Sequence, residues 1–414
     1  MHFAGSRRLH NVSLSLFLCP ARSFSSIYMP GHKAFLKTVP YTAPDWAAEL
    51  AHPPKERVVL GNFPTPIFPF RPPGLPEDVT MYIKRDDYSG LEMSGNKARK
   101  LEFLLAEALR EGADCVVTCG GVQSNHCRAT AVTARMMGLD SYLLLRTDDT
   151  ETDPGLVGNL LIDRLVGSKL IMVPRREYAK RGGGDYFIEK TCARLRAEGR
   201  KPYGIPVGGS NGIGTWGYLE SIEEMEHQIE ALDLDISDIA FACGSGGSAA
   251  GIGVGAHLYA KRHHDSTLQF NRQGLPPVHA YIVCDSPKYF YDYIDQKILP
   301  GMGLGSAIAP TFSSKDCIQM TDAQGTGYAK STKEELQYIA QVARETGVLL
   351  DPVYSGKALY VLVQELRANP DKFAGKNILF LHTGGMFGLY DKAAEIIDDI
   401  VASGDLSTFE VEAN

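Results

Sequence analysis

Nowhere in this 414-residue chain does an apolar run approach the roughly 18–20 residues that a membrane-spanning helix needs. No lysine and arginine cluster stands out, and the formal net charge of −7 argues against a nucleic-acid partner. The eight cysteines form no Cys-x-x-Cys pair, and a chain of this size needs no disulfide staples. Reduced thiols in a reducing compartment are therefore expected. Metal-ligand spacing is missing too, and Glu223, Glu224 and Glu226 read as a solvated helix face. No period of about 20–50 residues recurs, which excludes repeat architectures. Finally, no acidic residue precedes Asp45, while Arg7, Arg8 and Arg22 stand among serines and leucines. That is the composition of an organelle transit peptide over residues 1–27. The mitochondrion is the expected destination, the chloroplast second.

What is present is an ordinary globular composition, 44% hydrophobic and 22% charged, long enough for two domains. After a proline-rich, irregular stretch from Tyr41 to Pro76, short apolar runs alternate with helical patterns. Cys115–Cys119, Ser141–Leu145, Lys169–Val173 and Pro202–Val207 read as strands of a small α/β domain over residues 98–210. Ile236–Cys243, Val278–Cys284, Val348–Leu350 and Asn377–Leu381 read as strands of a larger one, with Thr80–Lys84 added to it. Its predicted extent is residues 28–97 and 211–414, closed by a helix from Phe387 to Val401. The expected fold is α/β, with two open, twisted, mostly parallel sheets flanked by helices and a cleft between them.

One lysine opens a helix directly behind a small polar turn, Ser94-Gly95-Asn96-Lys97. Leu101, Leu104, Leu105 and Ala108 follow at helical spacing, Ser94 or Asn96 can cap the start, and Gly112 can stop the end. A partly desolvated amine loses proton affinity and suits attack on an aldehyde, although an exposed lysine at a helix terminus has the same sequence. Gly244-Ser245-Gly246-Gly247-Ser248 follows a strand and opens another helix, an arrangement that converges backbone N–H groups on a phosphate. Gly244-x-Gly246-x-x-Ala249 also fits a dinucleotide fingerprint, with Asp285 as a ribose-binding acid, although well over the usual ~20 residues separate them. Gly120–His126 puts Ser124, Asn125 and His126 at a strand's carboxyl end, where open α/β sheets bind ligands. Ser124 could equally cap its helix and His126 simply pack. Asp351–Gly356 and Leu381–Gly385 are two further polar strand ends.

A lysine at a helix start, a phosphate-binding turn and polar strand ends on one cleft suit pyridoxal phosphate. Together, in this order, Ser94–Glu102, Gly120–Asn125, Gly158–Arg164, Val207–Tyr218, Asp351–Lys357 and His382–Gly385 resemble one family. It is the family of fold type II pyridoxal-phosphate enzymes that contains 1-aminocyclopropane-1-carboxylate (ACC) deaminase and D-cysteine desulfhydrase. The resemblance runs from about Pro64 to the C-terminus and looks closest to the plant-type desulfhydrases. It implies a tryptophan synthase β-like fold and a homodimer. It makes Lys97 the lysine bonded to the cofactor's aldehyde, puts Asn125 on the ring's 3′-oxygen, and has Gly244, Ser245, Gly246, Gly247 and Ser248 cradle the phosphate. Ser124 would contact the substrate carboxylate or assist proton transfer, and Tyr328 and Tyr354 would line the substrate pocket.

ACC deaminases carry a glutamate directly after the tyrosine of the Asp-Pro-Val-Tyr motif and a leucine before the paired glycines; this chain has Ser355 and Thr383. A hydroxyl at the ring nitrogen makes a weaker electron sink than a carboxylate would. A thiolate is a good leaving group and manages with the weaker sink, so β-elimination of D-cysteine to pyruvate, ammonia and hydrogen sulfide is the expected reaction. Lys97 and Ser124 both stand as the base for the Cα proton. ACC deamination or a broader D-amino acid β-elimination is the nearest alternative, and a nicotinamide-dependent oxidoreductase the alternative of another class. A small amino acid is the expected partner, with no nucleic acid, membrane or metal.

Overall fold

The computed structural model describes residues 36–263, 277–304, 312–396 and 408, so the expected leader at 1–27 lies outside the described residues. Two main sheets carry the chain. The smaller has the order Lys169–Pro174, Asp140–Thr147, Cys115–Gly121, Pro202–Gly204, all parallel. The larger runs Gln319–Asp322, Val278–Ile282, Asp238–Cys243, Asn377–His382, Thr80–Arg85, Ile67–Pro69, parallel except for its last, antiparallel pair. Among the described residues no helix is long and apolar enough to cross a membrane.

The central strand Asp238–Cys243 is buried along its whole length, because helices cover both faces of the sheet. Side-chain alternation divides it: Ile239, Phe241 and Cys243 pack with Leu219 and Ile222, while Ala240 and Ala242 pack with Ile339, Leu359 and Leu362. In the smaller sheet Val117 and Cys119 pack on Ile188 and Cys192. All seven described cysteines are free thiols, as the spacing led one to expect.

The Lys97–Arg110 helix joins the two bodies. Leu101, Leu104 and Leu105 pack on Val116, Ala129 and Ile205 of the smaller sheet's core, and Phe103 enters the core of the larger. It ends before Gly112, whose φ of +70° suits glycine. Neither Ser94 nor Asn96 caps its start; Asn96 sits at the cap position but makes no side-chain capping bond.

Several expectations need correction. Val348–Leu350 is not a strand: Leu349 gives its carbonyl to His382 Nε2 at 3.0 Å, outside any ladder. Gln319–Asp322, too polar to read as a strand, pairs with Val278–Ile282 at the sheet edge. The irregular arm supplies Ile67–Pro69 and a two-stranded ribbon, Thr38–Pro40 with Glu56–Val58. Two helices begin on glycines, at Gly212 and Gly247, inside stretches whose composition is that of a turn. The last predicted helix starts as Phe387–Asp391, and residues 397–401 lie outside the described residues. Nor is the Glu223–Glu226 face solvated. Glu224 accepts from Arg99 at 2.9 Å and also bonds Lys84, both buried cations, and Arg99 pairs with buried Asp86 at 2.8 Å. Among the described residues no group of acidic, histidine and cysteine side chains could hold a metal ion.

Candidate active site

A cavity of about 820 Å³ opens where the carboxyl ends of both sheets face each other. Lys97, Ser124, Asn125, Gly244, Ser245, Gly246, Ser248, Tyr328, Tyr354 and Thr383 all line it. Residues up to 286 positions apart in sequence, Lys97 and Thr383, thus share one wall.

The lysine turn is fixed by close backbone approach. Gly95 has φ +106°, and a Cβ there would stand 2.8 Å from the Thr383 carbonyl oxygen, which accepts from Asn96 N at 3.0 Å. Arg128, buried on the next helix, donates to the carbonyls of Glu92 at 2.6 Å and Ser94 at 2.9 Å. Lys97 leaves this turn into the cavity, and desolvation lowers its amine to about 8. One helical turn on, Lys100 is fully buried and donates to Gly208 O at 3.0 Å; burial and the Lys97 charge hold it well below the ordinary lysine range.

The glycine turn lies opposite. It ends at Gly246, φ +82°, and the helix Gly247–Arg262 begins with no side-chain cap. A Cβ on Gly247 would meet Lys100 Nζ at 2.7 Å and Ser210 Oγ at 2.8 Å. Ser210 donates to Ser245 Oγ at 2.9 Å and accepts from Gly247 N at 3.2 Å, so the Val207–Tyr218 segment buttresses the turn. A helix N-terminus whose N-cap residue lends no side chain, with a lysine behind it, suits an anion.

Ser124 caps the helix Asn125–Met136, accepting from Cys127 N at 3.2 Å. The capping reading of this serine holds, and the residue also lines the cavity. Asn125 Oδ1 is buried without a hydrogen-bond partner. His126 is buried beside it: Thr118 Oγ1 donates to Ile205 O at 2.9 Å and so accepts from His126 Nε2 at 2.8 Å, which leaves Nδ1 without a partner. Burial and the two lysines hold this imidazole well below its usual range, hence neutral.

Tyr328 and Tyr354 share a hydroxyl hydrogen bond of 2.7 Å with their rings edge to face. Burial raises both phenols. Thr383 lines the cavity, but Ser355 does not: its hydroxyl donates to Asp351 Oδ1 at 2.6 Å and accepts from Asp351 N at 3.0 Å at the start of its helix. Gly247 also stands just behind the wall rather than on it. Sequence reading missed Lys100, Tyr178 and Arg146. Only Lys100 carried a local signal, three residues beyond Lys97 on the same helix face.

These residues fit the expected cofactor. A depressed lysine faces an anion turn whose glycine would clash if substituted, with an orphaned amide oxygen on Asn125 between the sheets. Lys97 would hold the aldehyde carbon, the Gly244–Ser248 amides the phosphate, and Asn125 the ring oxygen.

The comparisons agree. A family model described as pyridoxal-phosphate dependent enzyme matches residues 58–384. A bifunctional D-cysteine desulfhydrase/1-aminocyclopropane-1-carboxylate deaminase, mitochondrial, of Arabidopsis thaliana is 46% identical over 379 residues, 91% of this chain and 89% of that one. The crystal structure of an ACC deaminase homologue superposes with a TM-score of 0.69 at 33% identity, covering 86% of this chain and 99% of its own. O-ureido-L-serine synthase shares the fold, with a TM-score of 0.57 at 15% identity over 84% of this chain and 96% of its own. The dinucleotide reading of Gly244–Ala249 therefore falls. With the family model matching residues 58–384 and the fold shared with the ACC deaminase homologue, the chain belongs to the fold type II pyridoxal-phosphate-dependent enzymes.

Proposed function

We propose that this enzyme eliminates sulfide from D-cysteine, yielding pyruvate, ammonia and hydrogen sulfide. The observation that carries the reading is Thr383 on the cavity wall, a hydroxyl where the ACC deaminases have leucine. The 46% identity to an enzyme named for D-cysteine desulfhydration supports it. When bound, pyridoxal phosphate supplies the electron sink for the pair left at Cα. Lys97 or Ser124 takes the Cα proton; the Cβ–S bond breaks and sulfur departs as sulfide. Water then replaces the amino nitrogen, so that cysteine and water balance pyruvate, ammonia and hydrogen sulfide. Tyr328 and Tyr354, protonated at neutral pH, flank the substrate side and keep a closed hydroxyl pair there.

ACC deamination is the second reading, favoured by the double name of the Arabidopsis relative. Sulfide and pyruvate release from cofactor-loaded protein given D-cysteine, with L-cysteine and ACC in parallel, separates the two. Sulfide and pyruvate in equal amounts from D-cysteine alone support the first. Turnover of ACC without D-cysteine turnover overturns the argument from Thr383.

The division into a large domain, residues 28–97 and 211–414, and a small one, residues 98–210, is part of the same proposal, supported by the separate sheets. So are a transit peptide over residues 1–27, import into mitochondria rather than chloroplasts, and a homodimer. The relative's mitochondrial name supports the destination.

A further inference from the structure

Arg146 lines the cavity wall and pairs with no carboxylate among the described residues. Arg146 lies near the carboxyl end of the Asp140–Thr147 strand, in register with Gly121 on the neighbouring strand. It thereby stands beside the turn that carries Ser124 and Asn125. Its guanidinium carbon lies 4.8 Å from the centre of the Tyr178 ring and 5.2 Å from that of Tyr328. The Nε atom is buried without a hydrogen-bond partner, and no carboxylate among the described residues pairs with this arginine.

Other arginines on the same wall are neutralised: Arg175 pairs with Asp148 at 2.8 Å and Arg181 approaches Glu177 at 3.9 Å. Asp185 and Asp285 face the cavity, but neither forms an ion pair with Arg146. The groups that feel its charge, Cys119, Tyr178, Cys284 and Tyr328, are all raised by burial and so neutral near pH 7. Aromatic faces hold a guanidinium in place without cancelling its charge. Arg146 is half-buried, its Nε shut off from water, so its charge is only partly solvated, and its planar fork matches a carboxylate better than any other common anion of amino acids.

We propose that Arg146 binds the carboxylate of the amino-acid substrate, on the wall it shares with Gly121 and Ser124. This assignment rests on the amino-acid reading above and adds a specificity determinant to it. An uncharged amide or amine in place of the carboxylate loses the contact.

The test uses pyridoxal-phosphate-loaded wild type, Arg146→Gln and Arg146→Lys. D-cysteine kinetics are measured, and D-alanine and D-alaninamide are titrated against the visible absorbance of the bound cofactor. Losing one charge-assisted contact should raise the D-cysteine KM and the D-alanine Kd of Arg146→Gln about ten- to a hundred-fold, with kcat within a few-fold. D-alaninamide affinity should not move, and Arg146→Lys should lie between, keeping the charge but not the fork. Should Arg146→Gln fail to fold, Arg146→Lys carries the same comparison. Equal losses for acid and amide, a fall in kcat alone, or lost cofactor content would each overturn the assignment. Failure of the substrate reading looks different: wild type would not turn over D-cysteine, while D-alanine binding would still depend on Arg146.

Discussion

Asn96 Nδ2 donates to Ser248 Oγ across 3.1 Å, and this bond fastens the lysine turn to the glycine turn. The two residues are 152 positions apart, on helices that start at opposite sides of the cavity. Ser94 or Asn96 was expected to cap the lysine helix; Asn96 makes no capping bond and ties the two turns together instead. Asn96→Ala should loosen cofactor retention without unfolding the protein. Dialysis against buffer free of pyridoxal phosphate, followed by absorbance, should show faster loss than in wild type.

Lys97→Ala should abolish covalent cofactor capture and lower D-cysteine turnover by about a thousand-fold or more, since the nucleophile is gone. The visible absorbance of the loaded enzyme and a sulfide assay report the two effects. Normal turnover by this variant would remove Lys97 from its role.

The depressed Lys97 amine gives a pH dependence with a definite sign. Only the neutral amine attacks an aldehyde, so cofactor capture by stripped protein should accelerate as pH rises through about 8. Stability of the stripped protein follows the same group. Between about 8 and the ordinary 10.5 the unfolded chain holds a proton that the folded one does not, so stability rises with pH across that window. Lys97→Met should flatten both profiles. Stopped-flow absorbance and denaturant titrations at stepped pH measure them, and a capture midpoint near 10 would contradict the buried amine.

Tyr328 and Tyr354 satisfy each other, so either single phenylalanine variant removes the partner of the hydroxyl left on the cavity wall. Tyr328→Phe and Tyr354→Phe should each lose about 0.5–1.5 kcal/mol, and the double variant less than their sum. Urea unfolding of the four proteins completes the cycle. Additive losses would mean the 2.7 Å bond contributes nothing.

Thr383 and Ser355, read together from the motif, separate in the structure. Thr383→Val should lower D-cysteine turnover with little change in unfolding. Ser355→Ala should lose about 1 kcal/mol of stability first, because Asp351 gives up a donor at 2.6 Å. Paired kinetics and melts distinguish the two, and a kinetic effect in Ser355→Ala as large as that in Thr383→Val would put Ser355 back on the site.

Much of the site was legible because its chemistry is written into contiguous motifs. A lysine after Ser-Gly-Asn, a glycine run after an apolar strand and a serine at a helix start each impose their local geometry through the backbone. Glu224 was misread for the opposite reason. Its partners Lys84 and Arg99 come from elsewhere in the chain, and no local pattern distinguishes a buried glutamate from a solvated one. Val348–Leu350 had the composition of a strand but lies outside the sheets.

The sequence by itself determined the alternation of strands and helices, the anion turn and the lysine, since each depends on residues within one turn or one strand. Tertiary structure alone decided that Lys97 is desolvated, that Thr383 lines the cavity while Ser355 turns to Asp351, and that Arg146, with no carboxylate partner among the described residues, stands between two rings. Burial and charge pairing are sums over neighbours brought from distant segments, and those neighbours exist only once both sheets have packed.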